Sequence, residues 1–373
     1  MNSMHERHIA VLVSYSGDGG VERMMNVLVA GFLDAGWTVD LLVLQRRGGH
    51  FSRIPSGARI IEMHPQHASL ATGSLERYLR KERPTILLAA KDRAGRAALR
   101  ACIRAGDKTR VILCIANTLS KSLARHGRLW RALRYVPIRR WYPRADAVVA
   151  TSEGVAADII KISGIMPNRV HVIPIPVISE DFVRLAQEKA NHRWFDESGI
   201  PVIIGVGRLT PQKDFFTLIR AFSILRRSID ARLLILGEGS ERSELLRLAN
   251  ELGVVDSIDL PGFVSNPHAW MRQADIFVLS SVWEGFGIVL VEAMGVGTPV
   301  VSTDCPHGPR EILEDGRWGP LVGVGGADAL ARAIRKTLEN PLPPDTLRTA
   351  ANKYSQKRIT DRYLDLFDEL LNQ

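Results

Sequence analysis

The chain has 373 residues, and 46% of them are hydrophobic. Since this length exceeds what a single hydrophobic core normally supports, two folded domains are expected. No apolar run approaches the ~18 residues that cross a bilayer, and the three cysteines have neither disulfide nor metal-ligand spacing. These features argue against a transmembrane or disulfide-stabilised protein and predict a cytoplasmic one, soluble or peripheral on the cytoplasmic face of the membrane. The net charge of +9 is concentrated between Lys91 and Arg144, which indicates an anionic surface or ligand on one face.

The first half of the chain predicts a parallel sheet covered by helices. Residues 8–44 have the pattern of a strand, a glycine-rich turn, an amphipathic helix ending at Gly36 and a second strand, which together form a βαβ unit. Further apolar runs predict strands at Thr85–Ala90, Val111–Ala116 and Ala147–Ala150, separated by helical or polar stretches.

The second half repeats this organisation. The pattern lapses into a polar, irregular stretch between Pro174 and Pro201, where a linker between domains is expected. Strands are then predicted at Val202–Val206, Arg232–Leu236, Ile276–Ser280 and Pro299–Ser302. The last amphipathic segment, Ser355–Leu371, has to bury its apolar face, and the first domain is the expected partner. We therefore predict an α/β protein with doubly wound domains at residues 1–177 and 178–354 and a C-terminal helix at 355–373.

A basic segment lies near the middle of the chain. Four arginines recur every three residues between positions 125 and 134, with apolar side chains between them, and Pro137 is expected to end the helix; the segment includes Arg125, Arg128, Leu129, Trp130, Arg131, Leu133 and Arg134. This pattern is typical of a helix that lies on anionic lipid. A solvated arginine face packed through its leucines is the alternative. Nucleic acid is not expected as a partner, because the rest of the chain is not basic and no reading motif occurs.

Ligands of open α/β sheets bind beyond the carboxyl ends of the strands, so two such domains facing one another would enclose a central cleft. The first of these turns contains Gly17, Gly19 and Gly20, which would let backbone N–H groups approach a phosphate. Since Glu22 interrupts the G-x-G-x-x-G pattern, a plain tight turn fits equally well.

A second turn, "GVGRLTPQKDF", carries two cations. Thr210 is predicted to cap the next helix, with Pro211 at its first position and Lys213 in its first turn. A cation is disfavoured at the positive end of a helix, so Lys213 indicates an anion there, and with Arg208 it could hold a diphosphate. A solvated pair of cations is the alternative.

A third turn places Glu284 just before Gly285–Gly287 and Glu292 about a turn and a half into the helix that follows. A buried carboxylate needs a partner, and a helix start suits an anion or the hydroxyls of a sugar, so both glutamates are candidate ligand contacts. The alternative is that Glu284 is an ordinary first-turn acid favoured by the helix dipole and that Glu292 is a solvated acid. The chain has no Asp-x-Asp, no Cys/His ligand spacing and no Gly-x-Ser-x-Gly turn, so neither a metal site nor a serine nucleophile is predicted.

Five motifs in this order, "GGVER", "GVGRLTPQKDF", "LGEGSE", "PGFV" and "EGFGIVLVEAMGVGTPVVS", resemble the retaining glycosyltransferases of family 4. The resemblance covers nearly the whole chain and implies the GT-B fold of two Rossmann-like domains. It also implies an acceptor-side first domain, a second domain that binds the nucleotide sugar, and a C-terminal helix that crosses back to the first domain.

The resemblance implies roles for individual residues. Glu284 and Glu292 match the family's Glu-x7-Glu motif, in which the first glutamate lies by the donor sugar and the second binds the ribose hydroxyls. Arg208 and Lys213 match the cations that neutralise the diphosphate. Gly19 and Gly20 match the loop that closes over the diphosphate, and the backbone at Val264 matches the position that contacts the base. The remaining donor-site matches are Gly285, Phe286, Gly287 and Ile288.

The implied reaction moves a hexose or N-acetylhexosamine from a UDP-sugar to an acceptor that is expected to be lipid-linked. Neither a cofactor nor a metal is implied, and the anionic membrane surface is a further expected partner. A GDP-mannose donor is the alternative within the family, and a nucleotide-sugar epimerase or a non-catalytic binding protein is the alternative outside it. Ala116 departs from the family, which often has a histidine at that position.

Overall fold

The computed structural model describes residues 7–16, 20–47, 49–64, 67, 70–123, 127–197 and 199–373. These residues form two compact units. Unit 1 comprises Met1–Pro176 together with Gln356–Gln373, and unit 2 comprises Val177–Ser355.

Unit 1 is built on a seven-stranded parallel sheet in the order β3-β2-β1-β4-β5-β6-β7. The central strands are almost wholly apolar because helices cover both faces of a parallel sheet. Its strands are β1 (His8–Ser16), β2 (Thr38–Arg47), β3 (Arg59–Glu62), β4 (Ile86–Ala90), β5 (Arg110–Ile115), β6 (Ala147–Ala150) and β7 (Val170–Val172). The helices that accompany them are α1 (Gly20–Asp34), α2 (Thr72–Glu82), α3 (Asp92–Ala105), α4 (Leu119–Leu123), α5 (Arg128–Trp141) and α6 (Glu153–Ser163).

Unit 2 is built on a six-stranded parallel sheet in the order β10-β9-β8-β11-β12-β13. Its strands are β8 (Val202–Val206), β9 (Arg232–Leu236), β10 (Ile258–Gly262), β11 (Ile276–Leu279), β12 (Val300–Thr303) and β13 (Leu321–Val322). Its helices are α7 (Glu180–Ala186), α8 (Phe215–Arg226), α9 (Arg242–Glu251), α10 (Pro267–Gln273), α11 (Ile288–Val296), α12 (Pro309–Ile312), α13 (Ala327–Glu339) and α14 (Pro344–Ala351).

The last helix, α15 (Gln356–Leu371), packs on α1 in unit 1. The contact is aromatic: the ring of Phe32 on α1 lies 6.0 Å from that of Tyr363 and 5.3 Å from that of Phe367, and the ring of Trp37, just after α1, also lies 5.3 Å from that of Phe367. Gly31 allows the close approach, because a Cβ at this position would lie 2.1 Å from the Thr360 hydroxyl. The predicted return of the C-terminal helix to the first Rossmann-like domain is thus confirmed.

Each sheet has a topological switch point, where the strand order reverses. In unit 1 it lies between β1 and β4, and in unit 2 between β8 and β11. Loops that leave the carboxyl ends of two such neighbouring strands go to opposite sides of the sheet and leave a crevice, which is where open α/β sheets bind ligands. The predicted α/β class with two doubly wound sheets is confirmed.

Two local predictions differ from the structure, and four strands were not predicted. The stretch 174–201 is not irregular throughout, because Ser179 caps α7 by accepting the Phe182 N–H and the Phe182 side chain is buried. Pro137 lies inside α5 and does not end it; proline removes one backbone donor, and the helix continues to Trp141. The short strands β3, β7, β10 and β13 were not predicted, because they are short or at the edge of a sheet and lack a long apolar run.

Candidate functional site

The turns that follow β8 and β11 meet at the switch point of unit 2. The turn after β8 spans residues 207–214, and the turn after β11 spans residues 280–287. Because β8 and β11 are parallel neighbours, both turns leave the same edge of the sheet. Two predicted site residues, Lys213 and Glu284, therefore come together from positions 71 residues apart in the sequence.

Lys213 and Glu284 form a largely buried ion pair. The ammonium Nζ lies 2.6 Å from Glu284 Oε1, and the side chains are only 14% and 9% exposed. The Ser281 hydroxyl donates to the same oxygen at 2.6 Å. A buried carboxylate is tolerated when it is paired and hydrogen-bonded, and Lys213 and Ser281 meet that requirement here.

Further hydrogen bonds tie the two turns together. The Ser280 hydroxyl donates to the carbonyl of Lys213 at 2.8 Å, and the Val282 N–H donates to the carbonyl of Gln212 at 2.8 Å. The Gln212 side-chain amide donates to the carbonyl of Trp283 at 3.0 Å. The position of Lys213 is thus fixed by backbone as well as side-chain contacts.

The predicted start of α8 is wrong. Thr210 does not cap the helix, and Lys213 does not lie in its first turn, because α8 begins at Phe215 with Asp214 as its N-cap. Asp214 has a left-handed backbone (φ 45°), and its carboxylate accepts the Thr217 N–H at 3.2 Å. Aspartate is a better N-cap than threonine, which explains the later start. The argument from the helix dipole therefore does not apply to Lys213, whose observed partner is Glu284.

The glycine-rich turn leads directly into α11. Gly287 is the N-cap with φ 99°, Ile288 is the first helical residue, and Glu292, the fifth, is buried. Phe286 packs its buried ring on Tyr354 in an edge-to-face contact, with ring centres 5.3 Å apart. Gly285 and Gly287 are also buried, so this turn presents backbone rather than side chains at the start of a helix.

The other predicted contacts lie around this pair. Arg208 follows β8, is exposed, and has no ion pair within the part of the chain that the structure describes. Its guanidinium approaches the Gln212 side-chain oxygen at 3.5 Å. Val264 follows the edge strand β10 and is half-buried.

Several neighbours of the pair were missed from the sequence. Ser280, Ser281 and Gln212 support it directly, and the two serines could have been found as polar residues at the end of a buried strand. Cys305 lies on the next turn and is buried; burial, and then the charge of Glu284, raise the pKa of its thiol to about 12. Among the described residues, no cluster of three His, Cys, Asp or Glu has the arrangement of a metal site.

The predicted residues of unit 1 are less completely described. Gly20 begins α1, whereas Gly19 and Arg125 lie outside the described residues. Arg128 begins α5, where Arg131 and Arg134 are half-buried. The apolar side chains spaced by three on this helix are exposed: Trp130, Leu133 and Val136. In the described part of the chain, no helix has the length and apolarity that a membrane crossing demands.

Two family models match consecutive parts of the chain. Residues 18–180 match Glycosyltransferase Family 4, and residues 187–358 match Glycosyl transferases group 1. The chain belongs to the family 4 glycosyltransferases. It is therefore assigned to the transferases that move a glycosyl group, and the two matched segments correspond to the two Rossmann-like sheets.

Curated relatives and solved structures agree with the family and the fold. A Campylobacter jejuni protein named as an N-acetylgalactosaminyltransferase acting on an N-acetylgalactosamine-N,N'-diacetylbacillosaminyl-diphospho-undecaprenol is 31% identical over 253 residues, or 68% of this chain and 66% of that protein. The Rhizobium meliloti lipopolysaccharide core biosynthesis glycosyltransferase LpsE is 28% identical over 94% of this chain and 96% of its own. The Anabaena HepE structure with UDP and glucose has a TM-score of 0.77 at 19% identity, covering 97% of this chain and 100% of its own.

Proposed function

We propose that this glycosyltransferase moves a hexose or an N-acetylhexosamine from a UDP-sugar to a lipid-linked glycan acceptor in the assembly of a cell-surface polysaccharide or glycan. The reaction retains the anomeric configuration and uses no metal ion. The proposal rests on one observation above all, which is the buried Lys213–Glu284 pair at the switch point of unit 2.

The environment of Lys213 suits a diphosphate. A lysine ammonium has three donors, and within the described residues the Lys213 ammonium makes one hydrogen bond, to Glu284. The other two donors are available to phosphate oxygens. Arg208 follows the same strand and adds an exposed guanidinium, which favours bidentate contact with phosphate. The start of α11, at Gly287, adds backbone N–H groups at the positive end of a helix.

These groups stabilise the charge that develops during transfer. When the bond between the anomeric carbon and the diphosphate oxygen breaks, its electron pair goes to the departing UDP. The acceptor hydroxyl attacks the anomeric carbon from the same face, and its proton goes to the departing phosphate oxygen. Lys213 and Arg208 stabilise the diphosphate more as its charge grows, which is the condition for lowering the barrier. No protein nucleophile is assigned, because Glu284 is held by Lys213 and Ser281.

The choice of UDP follows from two supports. The turn "TDCPHGPREIL", at residues 303–313, is similar to that of enzymes that use UDP-sugars, and the Anabaena HepE structure contains UDP. Glu292 is assigned to the ribose hydroxyls and the backbone at Val264 to the base. A GDP-sugar is the competing donor.

The lipid-linked acceptor is supported by the surface of α5. Trp130, Leu133 and Val136 are exposed along one side of this arginine-rich helix, as expected for a helix that rests in a membrane interface. The Campylobacter jejuni relative acts on a diphospho-undecaprenol acceptor. Anionic vesicles should therefore pellet the protein at low salt, and Leu133→Glu should abolish pelleting. The matched control is Ile103→Glu, an equally exposed apolar position of unit 1 on α3, which should pellet like the wild type.

The function itself is tested by nucleotide release. UDP and GDP release should be measured from a panel of nucleotide sugars, with and without a membrane lipid extract and with and without EDTA. Release of UDP from one donor that depends on the extract and persists in EDTA is the expected result. Loss of UDP release in EDTA would overturn the proposal that the reaction needs no metal ion. Release of GDP instead of UDP would show that the donor is a GDP-sugar. Binding of UDP-sugar without any release would favour a non-catalytic role, and restoring a histidine with Ala116→His would then test whether that position is responsible.

A further inference from the structure

Unit 1 contains a cavity that the donor site does not account for. It has a volume of about 330 Å³ and is lined by one histidine and four arginines: His67, Arg93, Arg96, Arg100 and Arg134. We call it the arginine cavity. Its lining is unusual, because charged residues of one sign repel one another and seldom share a cavity without a counter-charge.

The fold places these arginines together in a specific way. Arg93, Arg96 and Arg100 lie on α3 at spacings of three and four residues, so they project from the same side of the helix. Arg134 joins them from α5, which packs on α3. Three arginines on one side of a helix destabilise it through mutual repulsion, and helical packing alone gives no reason for this arrangement.

The carboxylates of the described residues do not neutralise the cavity. Asp92 pairs with Arg96 through two hydrogen bonds, at 3.0 and 2.6 Å, and also accepts the Tyr142 hydroxyl at 3.2 Å. Within the described part of the chain, Arg93, Arg100 and Arg134 make no ion pair with a carboxylate. One acid therefore faces four guanidinium groups, and an excess of positive charge remains.

Arg100 gives a second and independent indication. Its Nε is buried and has no hydrogen-bond partner among the described residues, although a buried polar group of this kind is normally satisfied. Burial, and then the neighbouring Arg96 and Arg104, lower the pKa of the Arg100 guanidinium. An anion in the cavity would supply both the missing acceptor and the missing counter-charge.

We propose that the arginine cavity binds a phosphorylated group, as a phosphate or diphosphate anion. Guanidinium groups match phosphate oxygens with paired N–H donors, and several of them around one cavity suit the two or three charges of a diphosphate. All five lining residues belong to unit 1, and none of them is among the predicted donor residues. The assignment of the cavity to the diphosphate of the acceptor, rather than to a membrane headgroup, rests on the proposed function.

The test is a calorimetric titration with inorganic pyrophosphate. Lys213→Ala serves as the host protein, since it weakens pyrophosphate binding at the donor residues. Arg93→Gln and Arg100→Gln, each made in this host, should weaken the remaining binding about tenfold or more, because each removes a charge-assisted contact. Arg140→Gln is the matched control, since it removes the same charge from α5 outside the cavity and should leave binding unchanged.

Unchanged affinity in Arg93→Gln would overturn the proposal, as would an equal loss in Arg140→Gln. Arg93 is exposed, so its replacement does not endanger folding, and Arg100→Lys tests whether restoring the charge at the more buried position restores binding. Geranyl diphosphate and phosphatidylglycerol vesicles distinguish the two sources of the anion. If Arg93→Gln and Arg100→Gln weaken the binding of geranyl diphosphate but not of the vesicles, the cavity binds a prenyl diphosphate. If they weaken the binding of the vesicles but not of geranyl diphosphate, the cavity binds a lipid headgroup. UDP release in the presence of the lipid extract, measured for the wild-type protein, reports separately on the proposed transferase.

Discussion

The two units place the same pair of residue types at the switch points of their sheets. In unit 1, Lys91 follows β4 and its ammonium lies 2.7 Å from Glu22, at the start of α1. In unit 2, Lys213 follows β8 and its ammonium lies 2.6 Å from Glu284. A buried glutamate is therefore balanced by a lysine beside the carboxyl edge of each sheet.

The surroundings of the two lysines differ. Lys91 also donates to the carbonyl of Ser14, at the end of β1, and has a left-handed backbone with φ 72°. Its ammonium thus holds a strand end and a helix start together. Within the described residues the Lys213 ammonium bonds to Glu284 alone, with Ser281 sharing the charge of that carboxylate. The ion pair of unit 1 therefore connects two secondary-structure elements, whereas the similar pair of unit 2 leaves lysine N–H donors for a ligand.

The largest expected effect comes from Lys213→Ala. Removing a cation that stabilises the departing diphosphate should lower kcat/KM for the nucleotide sugar about 100-fold or more. Lys91→Ala is the matched change in the other unit and should lower kcat/KM less than about tenfold, while lowering the melting temperature more than Lys213→Ala does. Steady-state UDP release and thermal melts of both variants measure this. Equal losses of kcat/KM would break the distinction between the two pairs.

The next effect tests the backbone around the pair. Gly308 has φ 95°, and a Cβ there would lie 1.8 Å from the carbonyl oxygen of Phe286. Gly308→Ala should therefore destabilise the protein by roughly 3 kcal/mol or more. Gly36 of unit 1 has φ 78° but open space around it, so Gly36→Ala should cost roughly 1 to 2 kcal/mol from backbone strain alone. Urea unfolding followed by circular dichroism gives both values, and similar costs would contradict the steric account.

A smaller effect separates binding from turnover. Glu284→Gln keeps the hydrogen bond from Ser281 but removes the charge that neutralises Lys213. UDP should then bind about threefold or more tightly, since the lysine is left with phosphate as its counter-ion, while transfer from the UDP-sugar slows. Glu22→Gln, the equivalent change in unit 1, should leave UDP affinity as it is. Calorimetric titration with UDP distinguishes the two, and weaker UDP binding by Glu284→Gln would go against the account.

The smallest effect appears only at alkaline pH. The pKa of Cys305 is raised from 9.0 to about 12, so its thiol stays protonated in the folded protein at pH values where an unfolded chain loses the proton. Its contribution to stability is fully present below pH 9 and declines as the pH rises towards 12. Cys305→Ala should reduce the loss of stability between these pH values. In Glu284→Gln the thiol should ionise at lower pH, because one cause of the raised pKa is gone; an unchanged thiolate absorbance titration would refute the coupling.

Much of the fold could be predicted from the sequence. Long apolar runs located the central strands, and β8 and β9 have the predicted bounds. The edge strands β7 and β13 could not be found in this way, because they have only three and two residues and their side chains are half-buried. Helix ends depend on single capping contacts, and α8 begins at Phe215 because the Asp214 side chain, rather than that of Thr210, caps it.

The candidate site was predictable in its residues but not in its contacts. Motif resemblance singled out Lys213 and Glu284, yet it assigned them to different parts of a ligand, whereas the structure pairs them directly. The strand order brings the two turns together, and strand order is not encoded in local periodicity. The arginine cavity escaped for a related reason: the excess of basic residues was evident and indicated an anionic surface or ligand, but the packing of α3 against α5, which brings the arginines together, is visible only in three dimensions.

The most direct test of the central claim is the dissociation constant of UDP for the wild type, Lys213→Ala and Lys91→Ala, measured by isothermal titration calorimetry at one salt concentration. If the ion pair of unit 2 keeps its donors for the diphosphate, Lys213→Ala weakens UDP binding about tenfold or more, and Lys91→Ala leaves it unchanged. The opposite pattern, with UDP affinity preserved in Lys213→Ala and lost in Lys91→Ala, would contradict the assignment of the donor diphosphate to unit 2.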